Sequence, residues 1–552
     1  MKFNKRLVGL LAVVAILLVA VGIFAVGIRS VPVRLSPTTT FITAPLAEDG
    51  LPNFTLAILE KYREGVTNEN NGARLFWQAV GPNGMPQEEF DALCTDLNIS
   101  IDPTVPFLVD ATGKDMGARL EEWLAEQKDA IETPEDTLDE AMPRAIDIAA
   151  IARTRSWTNE QIPPLADWLA ANQRPLNLLV DASRKLQFFS PPPNALRDPQ
   201  TPIFSMLLPH AQEMRGAVRS LSTRAMNRLG KGEHAEAWQD VLACWRLGQF
   251  MGRGPTELEI LIGIAVRSEA MNATLAILDS PNLPREVAQQ IASDLESLDS
   301  YMPLTETIDV TERLSLLDSA LRITTGRMGG LDDPVLPADL NLTAVDPNIP
   351  LEMINALYDQ MVVDVSIKDW KLREAAMARY YHRVSVMSQI YQWQRLWAVA
   401  NRKKCSEMIG NILISFMAPA IRLVVEAQER DQTNLALTRI AAGLALYRLD
   451  HDAYPATLTE LTATGILKEL PNDPFTSAPF RYERRADGYL LYSLFSNRKD
   501  DSGTDTTHPI DGGDWTRDDG TPRDIGHSDL VIRLPLPPLE LPIQPAPEDA
   551  KP

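Results

Sequence analysis

The chain has 552 residues, 45% of them hydrophobic and 23% charged, with a formal net charge of −21. That length exceeds one ordinary hydrophobic core and predicts two to four domains. The acidic balance argues against nucleic-acid binding, which needs a basic face. The three cysteines, Cys94, Cys244 and Cys405, are too few and too scattered for a metal or disulfide framework. They read as small buried hydrophobes, with one disulfide left open for an exported chain.

Residues 1–6, MKFNKR, are basic, and residues 7–28 carry no charge for 22 residues. A helix of that length spans about 33 Å, enough to cross a bilayer core. A secretory signal has a shorter apolar region and a small-residue cleavage site. The segment therefore reads as a transmembrane signal anchor, with a cleaved signal as the alternative. Lys2, Lys5 and Arg6 stay cytoplasmic by the positive-inside rule, and the rest of the chain lies on the far side of the membrane.

Residues 29–48 are rich in Pro and Thr and read as a linker. From 49 to 418 the apolar spacing is that of helices. Leu56, Leu59 and Tyr62 form one predicted face; Trp123, Leu124, Trp168 and Leu169 are predicted to point inward. Residues 221–251 read as a helical hairpin broken at Gly230 and Gly232. It looks a little like one tetratricopeptide unit, but no second copy follows at a period near 34. A Pro-rich stretch at 331–350 precedes one further predicted helical stretch at 351–400, and the uncharged run 408–421 is too short to span a bilayer, so it reads as core.

Residues 419–449 predict one long helix, with Leu437, Ile440, Ala441, Leu444 and Tyr447 as its apolar stripe. Thr457-x-x-Glu460 reads as a capping box, and Gly465 as the helix stop behind it. FRYERR and GYLLYSLF, on either side of Asp487-Gly488, predict a β-hairpin, and DLVIRL at 529–534 predicts a third strand. Residues 535–552 are Pro-rich and predicted disordered.

The predicted fold is thus mainly α: an irregular helical ectodomain, 49–418, followed by a small α+β domain, 419–534, of a long helix and about three antiparallel strands. The residues of this second domain carry a family likeness. Ala-Leu-x-x-Tyr, Tyr-Pro, Leu-x-x-Leu, Pro-x-Asp-Pro-Phe, an aromatic hairpin, Tyr-Ser and Asn-x-x-Asp-Asp follow one another between 435 and 501. In order and spacing they resemble the C-terminal domain of the G-type major pseudopilin of type II secretion. The pseudopilin processing site, with Gly-Phe and a glutamate five residues in, is missing from MKFNKRLVGLLAVV. The chain as a whole looks like a bacterial envelope protein that appends this domain to a helical ectodomain. The likeness implies anchoring in the bacterial cytoplasmic membrane, other envelope proteins as partners, and a structural Ca²⁺ in the loop before the last strand. Asp500, Asp501, Asp505, Asp511 and Asp514 are the expected ligands, although no EF-hand register is present. A solvated acidic loop is the plainer reading.

No histidine pair has zinc spacing, and no G-x-S-x-G, P-loop or Rossmann fingerprint occurs. His508 and His527 read as exposed loop residues, Glu121 and Glu122 as a solvated helix face, and the aromatic run 391–397 as core. The expected role is non-catalytic protein binding or scaffolding. The alternative is a helical ligand-binding or hydrolytic domain whose site leaves no motif.

Overall fold

The computed structural model describes residues 31–111, 113–129, 145–298, 304–327, 345–398, 401–417, 421–495, 497–503, 529–537 and 539. The predicted anchor at 7–28, most of the acidic loop and the end of the chain lie outside the described residues. The protein is mainly helical, with one small three-stranded antiparallel sheet.

The principal helices are α1 (Phe54–Arg63), α2 (Ala73–Val80), α3 (Gln173–Ser183), α4 (Pro209–Gly230), α5 (His234–Gly252), α6 (Glu257–Leu278), α7 (Arg285–Ser297), α8 (Arg313–Thr325), α9 (Asn348–Val365), α10 (Trp370–Ala398), α11 (Arg402–Met417), α12 (Ile421–His451) and α13 (Thr459–Ala463). Local chemistry sets their ends. Pro209 occupies the first turn of α4, where a missing N–H costs nothing. Thr256 and Glu259 close a complete capping box on α6. α8 stops at Gly326, which adopts left-handed backbone.

The hairpin of α4 and α5 forms as its sequence predicts, and α6 packs against both. By length and composition α6 could cross a membrane, yet 61% of its most apolar window is buried inside the protein. It is a core helix. It meets α5 where glycines face each other: a Cβ on Gly263 would lie 2.6 Å from the Gly252 backbone nitrogen. Among the described residues five tryptophans are fully buried, and each of their indole N–H groups has a partner, as buried indoles require. Trp77 donates to Ser190, Trp157 to the Ala152 carbonyl, Trp168 to the Val109 carbonyl, Trp238 to Asp294 and Trp245 to Thr274.

Two main hydrophobic cores result among the described residues, beside a small cluster of Leu59, Phe189 and Ala195. The larger joins residues from 73 to 298 with residues from 435 to 534; the smaller gathers α8, α9, α11 and the start of α12. α12 links them, with Ile421 and Val424 in the smaller core and Leu435 onward in the larger. The larger core therefore runs across the sequence boundary at 419. Arg267 and Asp431 pair at 3.1 Å, both buried, between α6 and α12. Arg439 of α12 donates to the Leu295 and Leu298 carbonyls at the end of α7. Past the last strand, Leu536 N–H donates to Asp279, and Arg155 to the Pro537 carbonyl.

The sheet has the order β1 (Arg481–Arg484), β2 (Tyr489–Ser493), β3 (Leu530–Leu534). Arg481 faces Tyr492 across one pairing, and Tyr489 faces Leu534 across the other. β2 is central and almost wholly buried, whereas β1 is an exposed edge carrying charge, a pattern that discourages edge-to-edge association. Buried Asp473 fastens the Asn-Asp-Pro-Phe turn to the sheet by accepting from Phe475 N–H and Leu494 N–H.

Several expectations need correction. α1 buries Phe54, Thr55, Ile58 and Leu59, so its inner face is rotated from the predicted Leu56–Leu59–Tyr62 line. The stretch 351–400 is helical as expected and divides into two helices, α9 and α10. The capping box at Thr457 is half formed. Glu460 accepts from Thr457 N–H at 2.9 Å, but α13 begins two residues later and the Thr457 hydroxyl turns to Thr459. Gly465 does take left-handed backbone behind α13. The three cysteines are free; Cys244 and Cys405 are buried and Cys94 is half-buried. Trp123, Leu124, Trp168 and Leu169 are buried as expected. The side chains of the aromatic run 391–397 lie outside the described residues.

Candidate functional site

Two places gather polar chemistry in a way the core alone does not require. The first is the base of the acidic loop. The chain turns there through left-handed backbone at Phe495, Arg498 and Ser502. Asp500 accepts from the Tyr492 hydroxyl at 2.9 Å and from Ser502 N–H at 3.1 Å, and Asn497 donates to Asp501 at 2.8 Å. Asp529, the residue before β3, is buried; one carboxylate oxygen accepts from Gly503 N–H at 2.9 Å and the other has no partner among the described residues. Burial pushes the Asp529 carboxyl up to about 6, with Asp501 and Asp500 adding to the rise and the Gly503 bond opposing it.

The structure thus brings Asp500 and Asp501 of the predicted ligand set close to Asp529, which the expected set omitted. Asp505, Asp511 and Asp514 lie outside the described residues. Among the described residues no three His, Cys, Asp or Glu side chains form a metal-holding group. The donor type still fits a hard cation, and the orphaned Asp529 oxygen is the kind of buried acceptor a cation satisfies.

The second place is a cleft between α1, the segment 186–192, the segment 206–210 and the junction of α5 with α6. Its interior volume is about 90 Å³, or about 790 Å³ counting all space out to solvent. Phe188 and Phe250 stack in its wall with ring centres 5.7 Å apart, beside Tyr62, Met206 and Met251. Burial pushes Tyr62 up to about 12.

Within this wall sits a buried histidine–carboxylate pair. His210, on the first turn of α4, bonds through Nε2 to Glu259 Oε1 at 2.7 Å, and both side chains are buried. Glu259 is fixed from behind: its Oε2 accepts from Thr256 N–H at 3.0 Å and from the Thr256 hydroxyl at 2.8 Å. Gly254 lets the carboxylate lie close to the chain, since a Cβ there would come within 2.7 Å of it. A carboxylate already accepting on both oxygens assigns the hydrogen to His210 Nε2. His210 Nδ1 is buried with no partner among the described residues.

Leu186 lines the cleft and is 78% exposed, and Gln187, Ser190 and Arg253 add polar groups to the lining. Sequence reasoning did not find this site. His210 and Glu259 lie 49 positions apart. The one local signal is Thr-x-x-Glu at 256–259, which marks Glu259 as a capping residue and says nothing of its histidine.

No family model, curated protein or solved structure matches the chain.

Proposed function

We propose that this protein is a membrane-anchored, non-catalytic binding protein that receives a partner at the His210–Glu259 cleft. The observation that carries the reading is exposed Leu186 at the edge of a recess walled by Phe188, Phe250, Met206 and Met251. An apolar group of a partner entering the recess would remove this surface from water. The uncharged run 7–28 supports anchoring, with the helical body outside the cytoplasm of a bacterial cell and other envelope proteins as the partners. The pseudopilin-like order of residues 435–501 supports a link to secretion or pilus-like assemblies. The shared core between that segment and the helical body supports a role as one rigid scaffold.

Asp500, Asp501 and Asp529, with carboxylates further along the loop, are the residues that would hold Ca²⁺. The ion would supply charge neutralisation at the base of the sheet, a structural role.

The test is affinity purification from cross-linked membranes with single charge substitutions. Leu186→Glu and Met206→Glu abolish recovery of the partner, whereas Val363→Glu, on the exposed side of α9, retains it. Equal recovery with all three variants rejects the cleft as the binding site. A reporter fused after residue 45 that is active only in the cytoplasm rejects the topology.

A further inference from the structure

A basic surface lies where the fold receives the chain from its uncharged run. We propose that this surface, Arg402-Lys403-Lys404 at the start of α11, docks on anionic phospholipid headgroups of the leaflet from which the chain emerges. This rests on the membrane-anchored reading above and deepens it.

The first observation is charge. The chain has a formal net charge of −21, yet residues 375–406 contain six Arg and Lys and no Asp or Glu. Four of the six, Arg395, Arg402, Lys403 and Lys404, flank the junction of α10 with α11. The side chains of Lys403 and Lys404 are 73% and 51% exposed. Glu407 answers them, 2.8 Å from Lys404 and 4.0 Å from Lys403, so three cations face one carboxylate. Nearby Glu352 is paired with Arg34 at 2.6 Å, and Asp346 accepts from Asn348. The helix gains nothing from this charge, because cations in a first turn oppose the helix dipole.

The second observation is position. Pro32 is four residues past Ile28, the end of the uncharged run, so it stays within about 14 Å of it whatever path the chain takes. The headgroup layer fills about 5–7 Å of that distance. A line of hydrogen bonds then ties Pro32 to α11. Asn348 Nδ2 donates to the Pro32 carbonyl at 3.0 Å, and Arg34 N–H donates to Asn348 Oδ1 at 2.8 Å. Asn348 N–H donates to Asp346 at 3.0 Å, and Asp346 N–H donates to the Ser406 hydroxyl at 2.8 Å. Asn348 and Ser406 are buried, so this path is fixed by packing. Ser406 is two residues from Lys404. The basic residues are thereby held close to the point where the chain leaves the bilayer.

The residue types select a lipid surface over a protein. Lysine is depleted at protein interfaces. Juxtamembrane Lys and Arg are attracted to anionic lipid, and the attraction fades within a Debye length of the surface.

The test reconstitutes the full chain into vesicles of phosphatidylcholine, with or without phosphatidylglycerol. A photoreactive residue replaces exposed Asn401 or exposed Val363, the latter 15 positions along α9 from Asn348 and thus about 22 Å away. Docking predicts a lipid adduct at 401 that is several-fold stronger with phosphatidylglycerol and falls as salt is raised, and none at 363. Lys403→Ala/Lys404→Ala lowers it by about fivefold for each charge removed. Equal lipid adducts at 401 with and without phosphatidylglycerol overturn the docking and leave the anchor intact, and this comparison needs neither lysine variant. A protein adduct at 401 in cell membranes, with no lipid adduct, assigns the patch to a protein and also overturns it. Release of the chain from the vesicles by alkaline carbonate overturns the anchor and the docking together.

Discussion

Arg224 and Asp240 form a bidentate pair, with Nη2 to Oδ1 at 2.6 Å and Nε to Oδ2 at 3.0 Å, and both are buried between α4 and α5. Arg228 adds a third bond to the same carboxylate at 2.8 Å, and Arg224 reaches Asn177 of α3 at 2.8 Å. The network ties the hairpin that carries His210 to its neighbour. Removing one member of such a pair strands a buried charge and costs about 3–5 kcal/mol. Asp240→Ala is therefore expected to lose that much in urea unfolding. The double variant Arg224→Met/Asp240→Leu, which leaves no stranded charge on that pair, is expected to recover much of it. A loss below about 1 kcal/mol for Asp240→Ala contradicts a charged pair here.

Gly263→Ala pushes a methyl group toward backbone atoms of α5, 2.6 Å from Gly252 N and 2.7 Å from the Gly248 carbonyl oxygen. Backbone cannot move aside as a side-chain tip can. The expected cost is about 1–3 kcal/mol, seen as a lower melting temperature. The usual helix-propensity gain of Ala over Gly would raise the melting temperature instead. The sign of the change thus separates close packing from propensity.

Glu257 and Glu312 face each other at the start of α6, where Glu257 N–H donates to Glu312 at 3.4 Å. Burial, then the charge of Glu312, pushes Glu257 up to about 8. Burial raises Glu312 as well, and Tyr358 and Tyr380 feel the same carboxylates. A carboxyl raised by folding binds more protons folded than unfolded. Its contribution is thus unpenalised below its ordinary value of 4.5 and is lost as pH rises toward about 8. Each unit of difference is worth about 1.4 kcal/mol. Glu257→Gln is expected to flatten the fall in stability over that window and to raise the melting temperature at pH 8. An unchanged pH profile would falsify the raised carboxyl.

Asp529 makes the same kind of prediction at the sheet. Its carboxyl, raised to about 6, weakens the fold as pH climbs from its ordinary value of 3.8 through about 6. With chelator present, Asp529→Asn is expected to raise the melting temperature at pH 7. Millimolar Ca²⁺ is expected to stabilise the wild type, by about 2.7 kcal/mol at a hundredfold excess over its dissociation constant. The same Ca²⁺ adds nothing to Asp529→Asn. Superimposable wild-type melts with Ca²⁺ and with chelator leave a solvated acidic loop as the remaining account.

Much of the fold was legible where the chain punctuates itself. Gly230 and Gly232 between amphipathic halves mark the α4–α5 hairpin, and Asp487-Gly488 between aromatic runs marks β1 and β2. Illegible features depend on partners distant in sequence. Thr55 turns inward because its hydroxyl donates to the Thr201 carbonyl at 2.6 Å, and no periodicity in 54–63 shows that bond. Thr457 matches the capping-box spacing, but its hydroxyl finds Thr459 first. The cleft was hidden for the same reason. A histidine at 210 and a glutamate at 259 acquire meaning when α4 and α6 cross. Of the predicted ligand loop, Asp500 and Asp501 stand beside a third carboxylate, Asp529, that arrives on the next strand.

The central claim is that the cleft beside His210 is covered by a partner in the living membrane. Site-specific photo-crosslinking tests it most directly, with the photoreactive residue placed at Leu186, at Met206 or at Val363. Binding at the cleft predicts a discrete protein adduct from positions 186 and 206 and none from 363. No adduct at 186 and 206, or an equal adduct at all three positions, would contradict it.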